Sequence, residues 1–238
     1  MSFSTWMPPV VSSESRDWRG SIWRMVEAQH IASTMKIVDD SAEQDILESL
    51  LETSKPLLPK EVGQLDYLLA APFRYVPLRP GSRFRSVTDP GVFYGAATVH
   101  AACAELGYWR WKFLKDAIDL DKLEPVAHTA FQAQIAALAL DLREPPLNKD
   151  AALWMHPTDY TATQALAREA REANAGAIIY QSVRDPESGW CMAVLTPNAF
   201  SSNKPNPLMQ TWWIAVHQEE VIWRRDHESM IFVVSNWV

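Results

Sequence analysis

A mixed α+β fold is the expectation for this chain, and three observations lead to it. Ser41-x-x-Gln44 reads as a capping box, followed by an apolar stripe at helical spacing, Ile46, Leu47, Leu50 and Leu51. Thr98 precedes a second helical run that reaches about Ala117. The C-terminal half is instead rich in β-like runs: Ala177–Tyr180, Trp190–Leu195, Met209–Val216, Val221–Arg224 and Met230–Ser235. A sheet with flanking helices accommodates this mixture.

In chain order, residues 1–20 read as an irregular arm and 21–238 as a single domain. Ser21–Val26 is a first strand. Arg24 lies among its apolar residues, so it either reaches solvent or meets an anion. The helix from Ser41 ends at Lys55-Pro56, because the residue before a proline avoids the α region. With Asp45, Glu48 and Glu52 on its other face it reads as a packing helix. Leu65–Leu69 is a short apolar helix, and Pro72–Pro77 is extended. Asp89-Pro90-Gly91 makes a turn before the short strand Val92–Tyr94. Ala127–Leu142 stays open between two readings. Its alanines favour helix, whereas the alternation of Phe131, Ala133, Ile135, Ala137 and Ala139 favours strand. Asp159–Ala173 is a helix that stops by Gly176, and Asp185–Gly189 turns a hairpin between two of the β-like runs.

Composition excludes several classes of function. The net charge is −7 with no basic tract, which argues against nucleic-acid binding through phosphates. Cys103 and Cys191 form no C-x-x-C pair and the six histidines are scattered, so no metal site is expected. P-loop, G-x-G-x-x-G and G-x-S-x-G motifs are absent. The lone cysteines fit a reduced, cytoplasmic chain, no secretory leader opens the sequence, and no run of about 18 apolar residues offers a membrane span. Eleven Trp are many; most belong in a core, and some are available to line a pocket.

The chemistry concentrates between Gly81 and Glu105. Arg83, Tyr94 and Glu105 follow at two equal steps of eleven, on loop, strand and helix. On spacing alone, a surface Arg–Glu pair and a half-buried tyrosine are the simpler reading. Arg74, Arg79, Arg83 and Arg85 form a local basic excess. It suits an anionic small molecule, since guanidinium grips phosphate through paired hydrogen bonds, but four solvated arginines fit equally well.

Gly81-Ser82-Arg83-Phe84, Phe93-Tyr94-Gly95-Ala96 and Ala104-Glu105 are followed later by Ile179-Tyr180-Gln181-Ser182-Val183-Arg184 and Gly189. In that order they resemble the signature of the RES-domain family, over roughly Ser21–Leu195. The resemblance implies a fold similar to ADP-ribosyltransferases and a toxin of a toxin–antitoxin pair. It implies NAD as substrate, cleaved at the nicotinamide–ribose bond with transfer of ADP-ribose to phosphate, water or a protein. Arg83, Glu105 and Ser182 take the catalytic positions; Arg24, Arg74, Arg83, Tyr94 and Ser182 take the NAD-binding ones. Arg24 and Arg74 compete for the family's first arginine, and if Arg24 holds it, residues 41–69 are a helical insertion. Phe84-Arg85 stands where the family often has Trp-Asn.

In these terms Glu105 stabilises positive charge on the ribose, arginines clamp the pyrophosphate and Tyr94 stacks on nicotinamide. Ser182 bonds the nicotinamide ribose or carboxamide. The implied partner is an antitoxin that covers the NAD cleft, with a homodimer left open. The alternative is a catalytically silent module that binds a phosphate-bearing ligand.

Overall fold

This computed structural model describes residues 8–28, 38–57, 59–75 and 81–237, which form six α-helices and eight strands. In order they are α1 (Pro8–Glu14), β1 (Arg16–Glu27), α2 (Ser41–Ser54), α3 (Tyr67–Arg74), β2 (Phe93–Ala96), α4 (Val99–Asp116) and β3 (Leu123–Asp141). Then follow α5 (Ala151–Trp154), α6 (Thr161–Glu172), β4 (Ala177–Gln181), β5 (Trp190–Val194), β6 (Gln210–Val216), β7 (Glu220–Arg225) and β8 (Glu228–Val233). The α+β class, with a mixed sheet and flanking helices, is as the sequence led us to expect.

The pairing scheme closes on itself. β1 runs antiparallel to β3 along its whole length, from Arg16 opposite Ala139 to Glu27 opposite His128. β3 pairs parallel with β4, β4 antiparallel with β5, β5 with β2, and β2 returns to β1 through Trp23 opposite Ala96. β6, β7 and β8 extend from β3 as an antiparallel meander. At the β1–β2 closure stands Gly95, where a Cβ would meet Ile22 Cδ1 at 2.7 Å and the Trp23 carbonyl oxygen at 3.1 Å. The two strands approach this closely because that side chain is missing.

β4 and β5 feed two cores by turns. Ile179, Met192 and Val194 join Ile22, Phe93, Phe131, Ala133 and Ile135 in one, closed off by Leu69 and Phe73 of α3. Ile178, Cys191 and Ala193 join α4's Tyr108, Trp111 and Leu114, and Trp223 and Phe232, in the other. Burial on both faces makes these strands read as continuous apolar runs. The same pairing decides Ala127–Leu142. It is a strand, because partners on both sides outweigh the local helix preference of its alanines, and Phe131, Ala133 and Ile135 fall in one core as their alternation implied.

Several local expectations are corrected. Residues 8–20 are helix and strand instead of an irregular arm, since β3 is long enough to pair β1 from Arg16 onward. The α2 cap is Asp40, whose carboxylate accepts the Glu43 N–H at 2.9 Å while Glu43 reaches back to the Asp39 N–H at 3.0 Å. That helix packs less than expected: none of its residues is buried, and Ile46 and Leu50 are each 61% exposed. The second helix begins after the Asp66 cap and runs through Pro72 to Arg74, so the extended reading fails there. Pro72 stands inside this helix, where its ring nitrogen has no N–H to offer the Leu68 carbonyl. Arg79 and the rest of 76–80 lie outside the described residues. Thr98 caps α4 as expected, accepting from the Ala101 N–H at 3.1 Å.

Candidate active site

A tight turn carries Arg83. Gly81 takes φ 98°, a conformation L side chains resist, and a Cβ there would lie 2.4 Å from the Arg85 carbonyl oxygen. Ser82 and Arg85 then exchange N–H···O bonds of 2.8 and 3.2 Å. The Tyr94 hydroxyl holds this turn from β2: it accepts the Phe84 N–H at 2.9 Å and pairs with Ser82 Oγ at 2.8 Å. From α6, Gln164 donates to the Ser82 carbonyl at 2.9 Å. Phe84 fills the core against Tyr180, so the Phe84-Arg85 departure from the family pattern keeps an aromatic anchor. Gly81→Ala is expected to cost about 1–3 kcal/mol, read as a melting point lowered by several degrees.

Glu105 stands on the second turn of α4. Its Oε1 accepts the Ser182 Oγ hydrogen at 2.6 Å, and Cys191 Sγ lies 3.9 Å away. Ser182 Oγ in turn accepts the N–H groups of Arg184 and Asp185 at 3.2 and 3.0 Å. Ser182 is 3% exposed and lies behind the cavity wall. Its hydroxyl is therefore engaged inside the protein by Glu105 and two backbone N–H groups, partners other than the nicotinamide ribose or carboxamide that the resemblance implied. Ser182→Ala removes one acceptor from two backbone N–H groups and one donor from Glu105. We expect turnover to fall about tenfold with KM nearly constant, together with a loss of about 1–3 kcal/mol in unfolding free energy. Steady-state kinetics beside thermal unfolding check both.

These groups face a cavity of about 390 Å³ lined by Arg24, Arg83, Tyr94, Glu105, Tyr160 and Arg184 among others. Each of its three guanidinium groups rests on an aromatic face: Arg24 on Phe93 at 4.7 Å, Arg83 on Tyr160 at 4.7 Å and Arg184 on Tyr108 at 3.5 Å. Their hydrogen bonds go to carbonyl oxygens. Arg24 donates to Tyr94 at 2.7 Å, Arg83 to Trp154 and His156 at 2.8 and 2.9 Å, and Arg184 to Pro157 at 2.5 Å. Among the described residues no carboxylate neutralises any of the three. The rings ease desolvation without cancelling charge. Burial lowers the Arg24 pKa to about 10, with Tyr94 opposing, and Arg24 Nε is sealed from solvent with no hydrogen-bond partner among the described residues. Burial first, then the Glu105 charge, pushes the Cys191 thiol well up, and burial does the same to the Tyr180 hydroxyl. Both stay neutral, and Glu105 is the carboxylate of this cavity.

The structure thus brings Arg24, Arg83, Tyr94 and Glu105 together and leaves Arg74 elsewhere. Arg74 pairs with Glu52 at 2.7 Å, donates to the Pro56 carbonyl and lines no cavity described here. Its charge is spent within the α2–α3 segment, so of the two candidate first arginines only Arg24 lies in the cavity with Arg83 and Glu105. Tyr94 lines the cavity, but its hydroxyl is occupied by the 81–85 turn. Arg184 was missed as a site residue although it follows Ser182 by two; its aromatic partner, Tyr108, is remote in sequence. Tyr160 and Trp109 were missed likewise.

Fold and site together define an α+β protein with a concave, cationic cavity holding one carboxylate. Residues 58–217 match the RES domain family, and the chain belongs to that family. The match contains Arg83, Tyr94, Glu105 and Ser182, and Arg24 precedes it. No curated protein matches the chain. Among solved structures it is similar to a chain of the M. tuberculosis MbcT–MbcA toxin–antitoxin complex, at 13% identity and TM-score 0.49, over 97% of this chain and 93% of that one. No helix among the described residues is long and apolar enough to cross a membrane.

Proposed function

We propose that this protein is an NAD-consuming enzyme that breaks the nicotinamide–ribose bond and passes ADP-ribose to an acceptor. The observation that carries this reading is the pairing of three carboxylate-free guanidinium groups with one carboxylate, Glu105, in a single cavity. A dinucleotide answers both parts of that arrangement. Its pyrophosphate supplies the missing negative charge for the arginines. Its ribose becomes positive as the C1′–N bond lengthens, and Glu105 stabilises that charge. Nicotinamide leaves as a neutral molecule with the bonding electron pair, so no general acid is required. An acceptor oxygen then bonds to C1′ and releases its proton.

Membership in the RES domain family supports this reading and the further one that the chain is the toxin of a toxin–antitoxin pair. A cell that makes such an enzyme needs an antitoxin to silence it. Trp109, 47% exposed and lining the cavity, offers that partner an apolar anchor.

The test is incubation of purified protein with NAD, with nicotinamide followed by chromatography and the other product by mass spectrometry. Nicotinamide release is expected. The second product separates the acceptors: a phosphorylated ADP-ribose, free ADP-ribose or a protein adduct. No release at high protein concentration would leave only a binding module for a phosphate-bearing ligand.

A further inference from the structure

A second cavity, of about 670 Å³, adjoins the first, and the two share Arg24, Ser82 and Tyr94. Its remaining wall includes Tyr67, Leu68, Ala71 and Pro72 of α3, with Arg85 and Thr129. Resting on the function proposed above, we propose that this second cavity receives the adenylate half of NAD, with the pyrophosphate lying over Arg24 at the joint.

Three observations carry the assignment. The first cavity, about 390 Å³, falls at the small end of the roughly 300–1,000 Å³ that ligand sites span. It suits a nicotinamide riboside and leaves the rest of a dinucleotide to go elsewhere. Arg24 lines both cavities, and no carboxylate among the described residues pairs with its guanidinium, so an uncompensated cation stands at the junction. The second cavity also has the lining a nucleoside needs. Tyr67, Leu68, Ala71 and Pro72 give apolar and aromatic surface for a base, and Thr129 gives a hydroxyl for a sugar. Arg85 adds charge there, while the cavity's carboxylate, Glu27, is already paired with Arg110.

The test compares nicotinamide release from NAD and from nicotinamide mononucleotide, which lacks the adenylate. Wild type is compared with Ala71→Trp, whose indole fills the cavity. Wild type should prefer NAD by kcat/KM, and Ala71→Trp should lose that preference by about tenfold or more. An unchanged preference in a variant with a wild-type circular-dichroism spectrum overturns the assignment. So does a variant that instead raises the KM for inorganic phosphate, since the cavity would then admit the acceptor. Should Ala71→Trp not fold, Tyr67→Ala answers the same question: removal of the ring lowers the preference, or the assignment fails. If wild type cleaves neither compound, the proposed function fails, and calorimetry with AMP decides the cavity separately. AMP binding that is lost in the variant upholds it; absence of binding to wild type overturns it.

Discussion

Glu105→Gln is expected to slow nicotinamide release from NAD by at least about 100-fold while leaving KM within a few-fold of wild type. Glutamine keeps the shape and keeps an oxygen to accept the Ser182 hydrogen, so the 2.6 Å link that orients the side chain survives. Only the charge is removed. Its loss is felt when the ribose turns positive and hardly at all when NAD first binds, which places the effect in kcat. The magnitude is that of losing one preorganised electrostatic contact to a transition state. Thermal unfolding should be nearly unchanged. Wild-type turnover in the variant would take Glu105 out of the chemistry, and a loss confined to KM would make it a binding residue only.

Arg24→Met is expected to raise the KM for NAD by about 30-fold or more without lowering the melting point. Truncating a buried arginine that belongs to an ion pair usually destabilises by about 3–5 kcal/mol, because the partner is stranded. Here no carboxylate is stranded. The losses are one bond to the Tyr94 carbonyl and the contact with Phe93, and the gain is relief from a desolvated charge. Methionine keeps an apolar stem against the ring. The pH dependence has a definite sign. Burial brings the folded-state pKa down to about 10, well below the ordinary guanidinium value, so between the two the unfolded chain holds more protons. Wild-type stability therefore receives an upward contribution as pH rises through that window, and Arg24→Met lacks it. Denaturant melts of both proteins at pH 9 and pH 11 read the difference. A marked fall in the variant's stability at neutral pH would show Arg24 to be a structural residue.

Much of the site was legible because it is local. Arg83, Tyr94 and Glu105 occupy one stretch of 23 positions, joined by a turn signal and a capped helix, and each falls on the element assigned to it. What stayed hidden depends on chain crossings. Arg24 and Arg74 look alike in sequence, each a cation among apolar residues. They part only when β1 lies beside β2 and α3 folds back on α2. Ser182 looked like a ligand contact because nothing in Gln181-Ser182-Val183 says that its hydroxyl is saturated by Glu105, Arg184 and Asp185. Ala127–Leu142 was ambiguous for a related reason: alanine's local preference points to helix, and only its neighbours on both sides make it a strand. The cap at Asp40 was misplaced by one residue because Asp40 and Ser41 are both good caps.

The strand circuit has one weak joint. Everywhere else the ring is held by runs of paired residues, while β1 meets β2 at Trp23 and Ala96 alone, assisted by the Arg24 bond to the Tyr94 carbonyl. Compliance is thus concentrated where the two cavities meet, with Arg24 on one lip and Tyr94 on the other. A ligand held by both acts as a rivet across the joint. Part of its binding energy goes into stiffening the ring, and whatever stiffens the ring first favours the ligand in return.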